Sequence, residues 1–205
     1  MIDGAHDPVQ AAHHQIGNSL QSVAAMLLRQ GRGADPEVAP ALFDASRRVR
    51  VIMRLHERLQ IQNTGARVAL DDLIRDICGD LAEIDASEED RSLKLELARI
   101  LAPASVASAV GLITAELASN ALEHGLKDRS GVCQVQLSRS AQGCRLTVSD
   151  DGAGISDGED LTAHEGFGLS LVRRLAGQIH GTLTVRRLSR GLGYQIDFPF
   201  PPELE

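Results

Sequence analysis

The spacing of the apolar residues changes at Asn63-Thr64-Gly65, and that change divides the chain into two kinds of structure. Before the break, Val9, His13, Ile16, Leu20, Val23 and Leu27 alternate steps of four and three, as on one face of an α-helix. Val38, Leu42, Ala45, Val49, Ile52, His56 and Leu59 do the same. Asp7-Pro8 and Asp35-Pro36 supply the start signals, with Asp as N-cap and Pro in the first turn. The first helix is expected to end near Gln30, before Gly31-Arg32-Gly33. Residues 1–63 therefore read as an antiparallel helical hairpin. Its narrow stripes need a second hairpin to cover them, so a homodimeric four-helix bundle is the economical expectation.

After the break, residues 64–205 mix alternation with helical spacing. Arg67 to Leu70 and Leu93, Leu95 and Leu97 read as strands, and Asp71 to Leu81 and Ser105 to Gly125 as helices. A hairpin through Val135, Leu137, Leu146 and Val148 turns near Gln142-Gly143. A helix from Gly168 to Ile179 follows, then a second hairpin, with Leu183 and Val185 before Arg190-Gly191 and Tyr194, Ile196 and Phe198 after it. The expected class is α+β, with helices on one face of a mixed or antiparallel sheet.

Composition narrows the function. Only 2% of residues are aromatic and Trp is absent, so the core must be built from Leu, Ile, Val and Ala. A net charge of −7 argues against nucleic acid as a partner. Cys78, Cys133 and Cys144 have no metal-type spacing and read as buried free thiols of a reducing compartment. No signal peptide and no apolar membrane span are visible, so a soluble, cytoplasmic protein is expected.

Three segments of the second region carry chemistry. In the helix, Glu116, Asn120 and His124 recur at four-residue steps on one face. Asn has poor propensity for a mid-helix position, and its carbonyl oxygen beside a carboxylate suits Mg²⁺, which prefers oxygen donors and keeps waters and phosphates in its shell. Asp150-Asp151-Gly152-Ala153-Gly154 follows a strand. A carboxylate there can accept from the exocyclic amine of adenine, and glycines let the backbone pass close to the base. Gly166-Phe167-Gly168-Leu169 opens a helix whose exposed amides favour phosphate.

In this order these segments resemble the N box and the first and second glycine boxes of the GHKL ATPase superfamily. The resemblance implies a Bergerat-type ATP-binding domain. It assigns Asn120, with Glu116, to Mg²⁺, Asp150 to adenine, and Gly152 and Gly154 to the base pocket. Gly166, Gly168 and Leu169 go to the phosphates, His124 to the nucleotide site, and residues 155–165 to the ATP lid.

In the first helix, His13-His14-Gln15-Ile16-Gly17-Asn18-Ser19-Leu20-Gln21 resembles the phosphoacceptor box of HWE-type (HisKA_2-like) histidine kinases. That resemblance implies His14 as phosphoacceptor, Asn18 as its partner one turn on, and Glu116 as a polarising group. Gln15 and Gly17 stand where the box usually carries Arg and Lys. The implied activity is ATP-dependent phosphorylation of His14, with transfer to an aspartate of a response-regulator receiver domain and a signal arriving from a sensor or upstream protein in trans. The alternative is a phosphorelay adaptor, a histidine phosphotransferase of the same architecture charged by another receiver. An anti-sigma-factor type of GHKL protein is disfavoured by the long hairpin.

Overall fold

The computed structural model describes residues 8–61, 67–85, 91–127, 129–154 and 167–200; the side chains of 8–14, 59–61, 84, 85 and 167 lie outside that description. The chain divides into two compact units, Met1–Ala66 and Arg67–Glu205.

The first unit is a helical hairpin, α1 (Pro8–Arg32) and α2 (Ala39–Ile61). Helix α1 runs two residues past the expected end. Gly31 lies inside its last turn, where an ideal β-carbon would stand 2.7 Å from the Phe43 ring, so the glycine lets the two helices close. Helix α2 begins later than Asp35-Pro36 suggests. The Asp35 carbonyl accepts the Val38 and Ala39 N–H groups in a turn, both at 2.9 Å, and Pro40 occupies the first helical turn, where its missing N–H costs nothing.

The seam is only partly the expected stripe. Ala24, Ser46, Val51 and Leu55 are buried, and the Ser46 hydroxyl donates to the Ala24 carbonyl at 3.0 Å across the hairpin. Leu20, Leu27 and Leu42 are half-buried. Ile16, Val23, Val38 and Ile52, also on the expected stripes, are exposed in the single hairpin. Each helix thus carries more apolar surface than one partner helix covers.

The second unit is a layer of helices on a sheet. In chain order it comprises β1 (Arg67–Ala69), α3 (Leu70–Asp85), β2 (Arg91–Leu97), β3 (Leu101–Pro103), α4 (Ala104–Asn120), a π turn (Ala121–Gly125), β4 (Gly131–Ser140), β5 (Gly143–Asp150), α5 (Phe167–Gln178), β6 (Thr182–Arg187) and β7 (Leu192–Phe198). Among the described residues the main sheet has the order β2-β4-β5-β7-β6. It is mixed, because β2 pairs parallel to β4 and the other pairs are antiparallel. The short strand β3, which periodicity cannot detect at three residues, pairs antiparallel with β1.

Register places the core residues in rows. Leu95, Val135, Val148, Tyr194 and Val185 form one row; Leu97, Leu137, Leu146, Ile196 and Leu183 form the next. The alternate residues are polar, and Gln134 and Gln136 both donate to the Glu96 carboxylate on that face. Helix α4 packs between α3 and α5 and also touches β4 and β5. With β1–β3 added, it is enclosed on most sides, which explains its run of buried Ala, Val, Ile and Leu. By length and mean composition alone Ala104–Gly125 could cross a membrane, although Ser, Thr, Glu and Asn interrupt its apolar residues. However, 72% of its apolar window is buried within the fold, as in a core helix. All three cysteines are buried and free, and burial pushes the Cys78 and Cys133 thiols up to about 12, so both stay protonated and unreactive.

Two glycine substitutions test this packing. Gly79 sits inside α3 with open space where a β-carbon would project, so Gly79→Ala is expected to stabilise the protein by about 0.5–1 kcal/mol through helix propensity. Gly31→Ala is expected to destabilise the hairpin by about 1–3 kcal/mol through overpacking against Phe43. Thermal melts check both; equal shifts of the same sign would contradict the packing described.

Candidate active site

The site is built at the C-terminal end of α4. Glu116 and Asn120 stand four residues apart on the helix and share a face. Both meet the first turn of α5: an ideal β-carbon on Gly168 would lie 2.9 Å from Glu116 Oε2 and 3.8 Å from Asn120 Nδ2. A glycine at 168 therefore lets the start of α5 approach these polar groups. Glu116 is only 2% exposed, closed off beneath Gly168, whereas Asn120 is half-buried. Leu169 is half-buried in the same first turn of α5.

Beyond Asn120 the helix widens. The Leu126 N–H donates to the Ala121 carbonyl, five residues back, at 2.8 Å. The α-helical spacing that groups His124 with Asn120 therefore ends at Asn120, and the structure places His124 exposed in the π turn. Glu123 is likewise exposed and accepts from the Ser119 hydroxyl at 2.7 Å.

The π turn ends at Gly125, against the second cluster. Asp150 is the last residue of β5, lies opposite Cys133 and is 4% exposed. Its Oδ1 accepts the Gly152 N–H at 2.9 Å, and its carboxylate also accepts from the Leu192 backbone. Three glycines crowd it. A β-carbon at Gly125 would lie 2.7 Å from Asp150 Cγ; one at Gly152 would meet Asp150 Oδ1 at 2.9 Å and collide with the Gly125 carbonyl; one at Gly191 would collide with the Asp150 carbonyl. Gly191 and Gly154 also have left-handed backbones, with φ of 76° and 66°. The neighbouring Asp151 has a different task. Its Oδ1 accepts the Val132 N–H at 2.7 Å and fastens the turn to β4.

Burial raises the Asp150 pKa from its ordinary value; the Gly152 and Leu192 amides oppose that shift and the Asp151 charge adds to it. The carboxylate is thus desolvated yet oriented, an acceptor whose direction is fixed by the backbone. Asn120 and Glu116 offer oxygen donors of the kind Mg²⁺ takes, with phosphate oxygens and water left to complete the shell. Among the described residues there is no cluster of three acidic, His or Cys side chains that could hold a metal by itself.

A family model described as a histidine kinase-like ATPase domain matches residues 85–189, and one described as histidine kinase matches residues 12–85. The chain belongs to the histidine kinase family. The sensor histidine kinase PdtaS of Mycolicibacterium smegmatis is 30% identical over 194 residues, covering 89% of this kinase chain and 37% of the relative. Blue-light-activated histidine kinase 2 of Erythrobacter litoralis is 30% identical over 194 residues, covering 91% and 55%. The chain therefore spans only part of the length of these relatives. Among solved structures, the histidine kinase domain of the Erythrobacter litoralis EL346 blue-light activated kinase superposes with a TM-score of 0.72 at 25% identity, covering 89% of this chain and 96% of that one. Full-length ShkA, solved in complex with AMPPNP, shares the fold with a TM-score of 0.56 at 20% identity, covering 97% of this chain and 47% of that one.

Within the kinase, the structure brings Glu116, Asn120 and Gly168 together, and Asp150, Gly152 and Gly154 together. Gly166 and the expected lid, 155–165, lie outside the described residues, as does the His14 side chain; the backbone of His14 is part of α1. Asn18 is exposed on α1, and its carbonyl accepts the Ser22 hydroxyl at 2.8 Å. Sequence reading missed Gly125 and Gly191. The first looks like an ordinary helix end and the second like a hairpin turn, and only the close approach to Asp150 marks them.

The raised Asp150 pKa has two measurable consequences. Its folded pKa exceeds the unfolded one, so the stability linked to its proton is present at low pH and lost as pH rises through the folded value. The charged form is a cost at neutral pH, and Asp150→Asn is expected to leave the melting temperature unchanged or raise it. On the adenine role proposed below, the same variant is expected to weaken ATP binding about tenfold or more, because a neutral amide replaces a charged acceptor. Titration calorimetry on acidification should show wild-type affinity falling at higher pH than an ordinary aspartate would dictate, a limb absent from Asp150→Asn.

Proposed function

We propose that this chain acts in the cytoplasm as a two-component histidine kinase, taking the γ-phosphoryl group of ATP onto His14 and passing it to the aspartate of a receiver domain. The observation that carries this reading is the buried, backbone-oriented Asp150 carboxylate at the end of β5, packed against the π turn that follows the helix bearing Asn120. In the proposal, Asp150 accepts from the adenine amine, Gly152 and Gly154 let the base lie against the backbone, and the start of α5, through Gly166, Gly168 and Leu169, faces the phosphates. His124, exposed beside Gly125, lies at the rim of the nucleotide site. Asn120 Oδ1 is the proposed direct ligand of Mg²⁺, with the Glu116 charge behind it. Bound Mg²⁺ would neutralise charge on the β- and γ-phosphates, and transfer then depends on positioning and charge stabilisation. A neutral His14 imidazole attacks the γ-phosphorus, the bond to the bridging oxygen breaks, and ADP leaves. Asn18, one turn along α1, orients water for the reverse, phosphatase reaction. Residues 1–63 serve dimerisation and phosphotransfer, and 64–205 serve ATP binding. The exposed apolar rows on α1 and α2 support a homodimer through the hairpin, and the input arrives from a sensor or upstream protein.

Incubation with γ-labelled ATP is expected to give an acid-labile phosphoprotein, lost in His14→Ala and in Asn120→Ala. Label that survives His14→Ala would contradict the assignment. Gln15 and Gly17 favour a second reading, a phosphorelay adaptor, because two cations that could pair with phosphate are missing beside His14. Labelling of His14 only from a phosphorylated receiver, and never from ATP, would decide for the adaptor.

A further inference from the structure

We infer that Gly125 is a positioning residue for nucleotide recognition, and that the π turn it ends sets the Asp150 carboxylate relative to Asn120. The inference rests on the ATP-binding reading above. Helix α4 is regular to Asn120 and widens at the next residue, with the Leu126 N–H reaching back five residues to Ala121. A π turn amounts to one extra residue in an α-helix, has poorer hydrogen-bond geometry, and persists where the surroundings demand it. Here the demand is visible. The wider turn brings Gly125 against Asp150, where a β-carbon would stand 2.7 Å from both Cγ and Oδ1.

An α-helical continuation would bring the chain round one residue earlier, presenting His124 to the same place, where no side chain fits. The Gly125 carbonyl also accepts the Ala153 N–H at 2.9 Å, and Gly152 packs against that carbonyl. The loop that follows Asp150 is thereby tied to the end of the helix carrying Asn120. One short turn connects the group that reads the base to the group that faces the phosphates. The Gly152 and Leu192 amides orient the carboxylate from other sides, and Gly125 forms a further wall.

A methyl group at 125 must displace the carboxylate or the turn. The test measures binding of ATP and GTP, each with Mg²⁺, to the full chain and to Gly125→Ala, Asp150→Ala, the double variant, and Gly177→Ala. Gly177 is a helical glycine with open space around it and serves as the control. Gly125→Ala is expected to weaken ATP binding by about tenfold or more and to erase the preference over GTP, as loss of a charge-assisted hydrogen bond requires. In the Asp150→Ala background the same change is expected to alter affinity by less than about threefold, because contacting residues are not additive. Gly177→Ala is expected to bind as the wild type does.

A folded Gly125→Ala chain with undiminished ATP affinity and preference would overturn the inference. So would an equal loss with and without the Asp150 carboxylate, which would mark a purely structural role. If Gly125→Ala alone does not fold, recovery of the fold in the double variant supports the contact, and an unfolded double variant overturns it. Failure of the wild type to bind ATP is a separate result, which removes the ATP-binding reading itself.

Discussion

A carboxylate with 4% of its surface exposed, at the end of a strand and beside a core of Leu, Val and Ile, is the interaction around which the catalytic unit is organised. Desolvating an ionised group is costly unless donors replace the lost water. Here the donors are backbone amides of Gly152 and Leu192, so they reach the carboxylate only if the main chain comes very close. Close approach from three directions requires residues without a β-carbon, and Gly125, Gly152 and Gly191 occupy those directions. The segments they belong to are otherwise distant in sequence: the end of α4, the turn after β5 and the turn before β7. The buried charge thus explains why these three places share a residue type.

Helix α4 is the second organising element, and it follows from composition. With almost no aromatic residues available, the core is filled by closely packed aliphatic chains. A helix rich in Ala and Ser can lie between two other helices and a sheet, and α4 does so. Its last α-helical turn then carries polar groups outward, to Gly168 on one side and, through the π turn, to Asp150 on the other. The hairpin unit follows a different logic. A buried Ser46–Ala24 hydrogen bond and the Gly31–Phe43 contact close the pair, while heptad-spaced residues such as Ile16 and Val23 stay outside the seam.

Periodicity made most of the fold legible, because the core rows of β4, β5 and β7 are strict alternations and α4 is long. Glu116, Asn120, Asp150, Gly152 and Gly168 are each ordinary taken alone, as a polar helix face, a strand-ending turn and a helix start, and stand out only through the order of the three segments and the family resemblance. What could not be read depends on contacts between segments. Strand β3 is too short for a period and exists because β1 pairs with it. The π turn looks like uninterrupted helix in sequence, so His124 was grouped with Asn120 by a spacing that holds only to Asn120. Gly125 and Gly191 resembled ordinary punctuation. In the hairpin, Ala24 and not Val23 lies in the seam, where its carbonyl accepts the Ser46 hydroxyl, a contact that no apolar pattern encodes.

The most direct test of the central claim is a crystal structure of the chain with Mg²⁺ and a non-hydrolysable ATP analogue. The account predicts the adenine exocyclic amine within hydrogen-bonding distance of the Asp150 carboxylate, with Asn120 Oδ1 facing the metal. A purine bound away from Asp150, with that carboxylate still enclosed and unengaged, would contradict it.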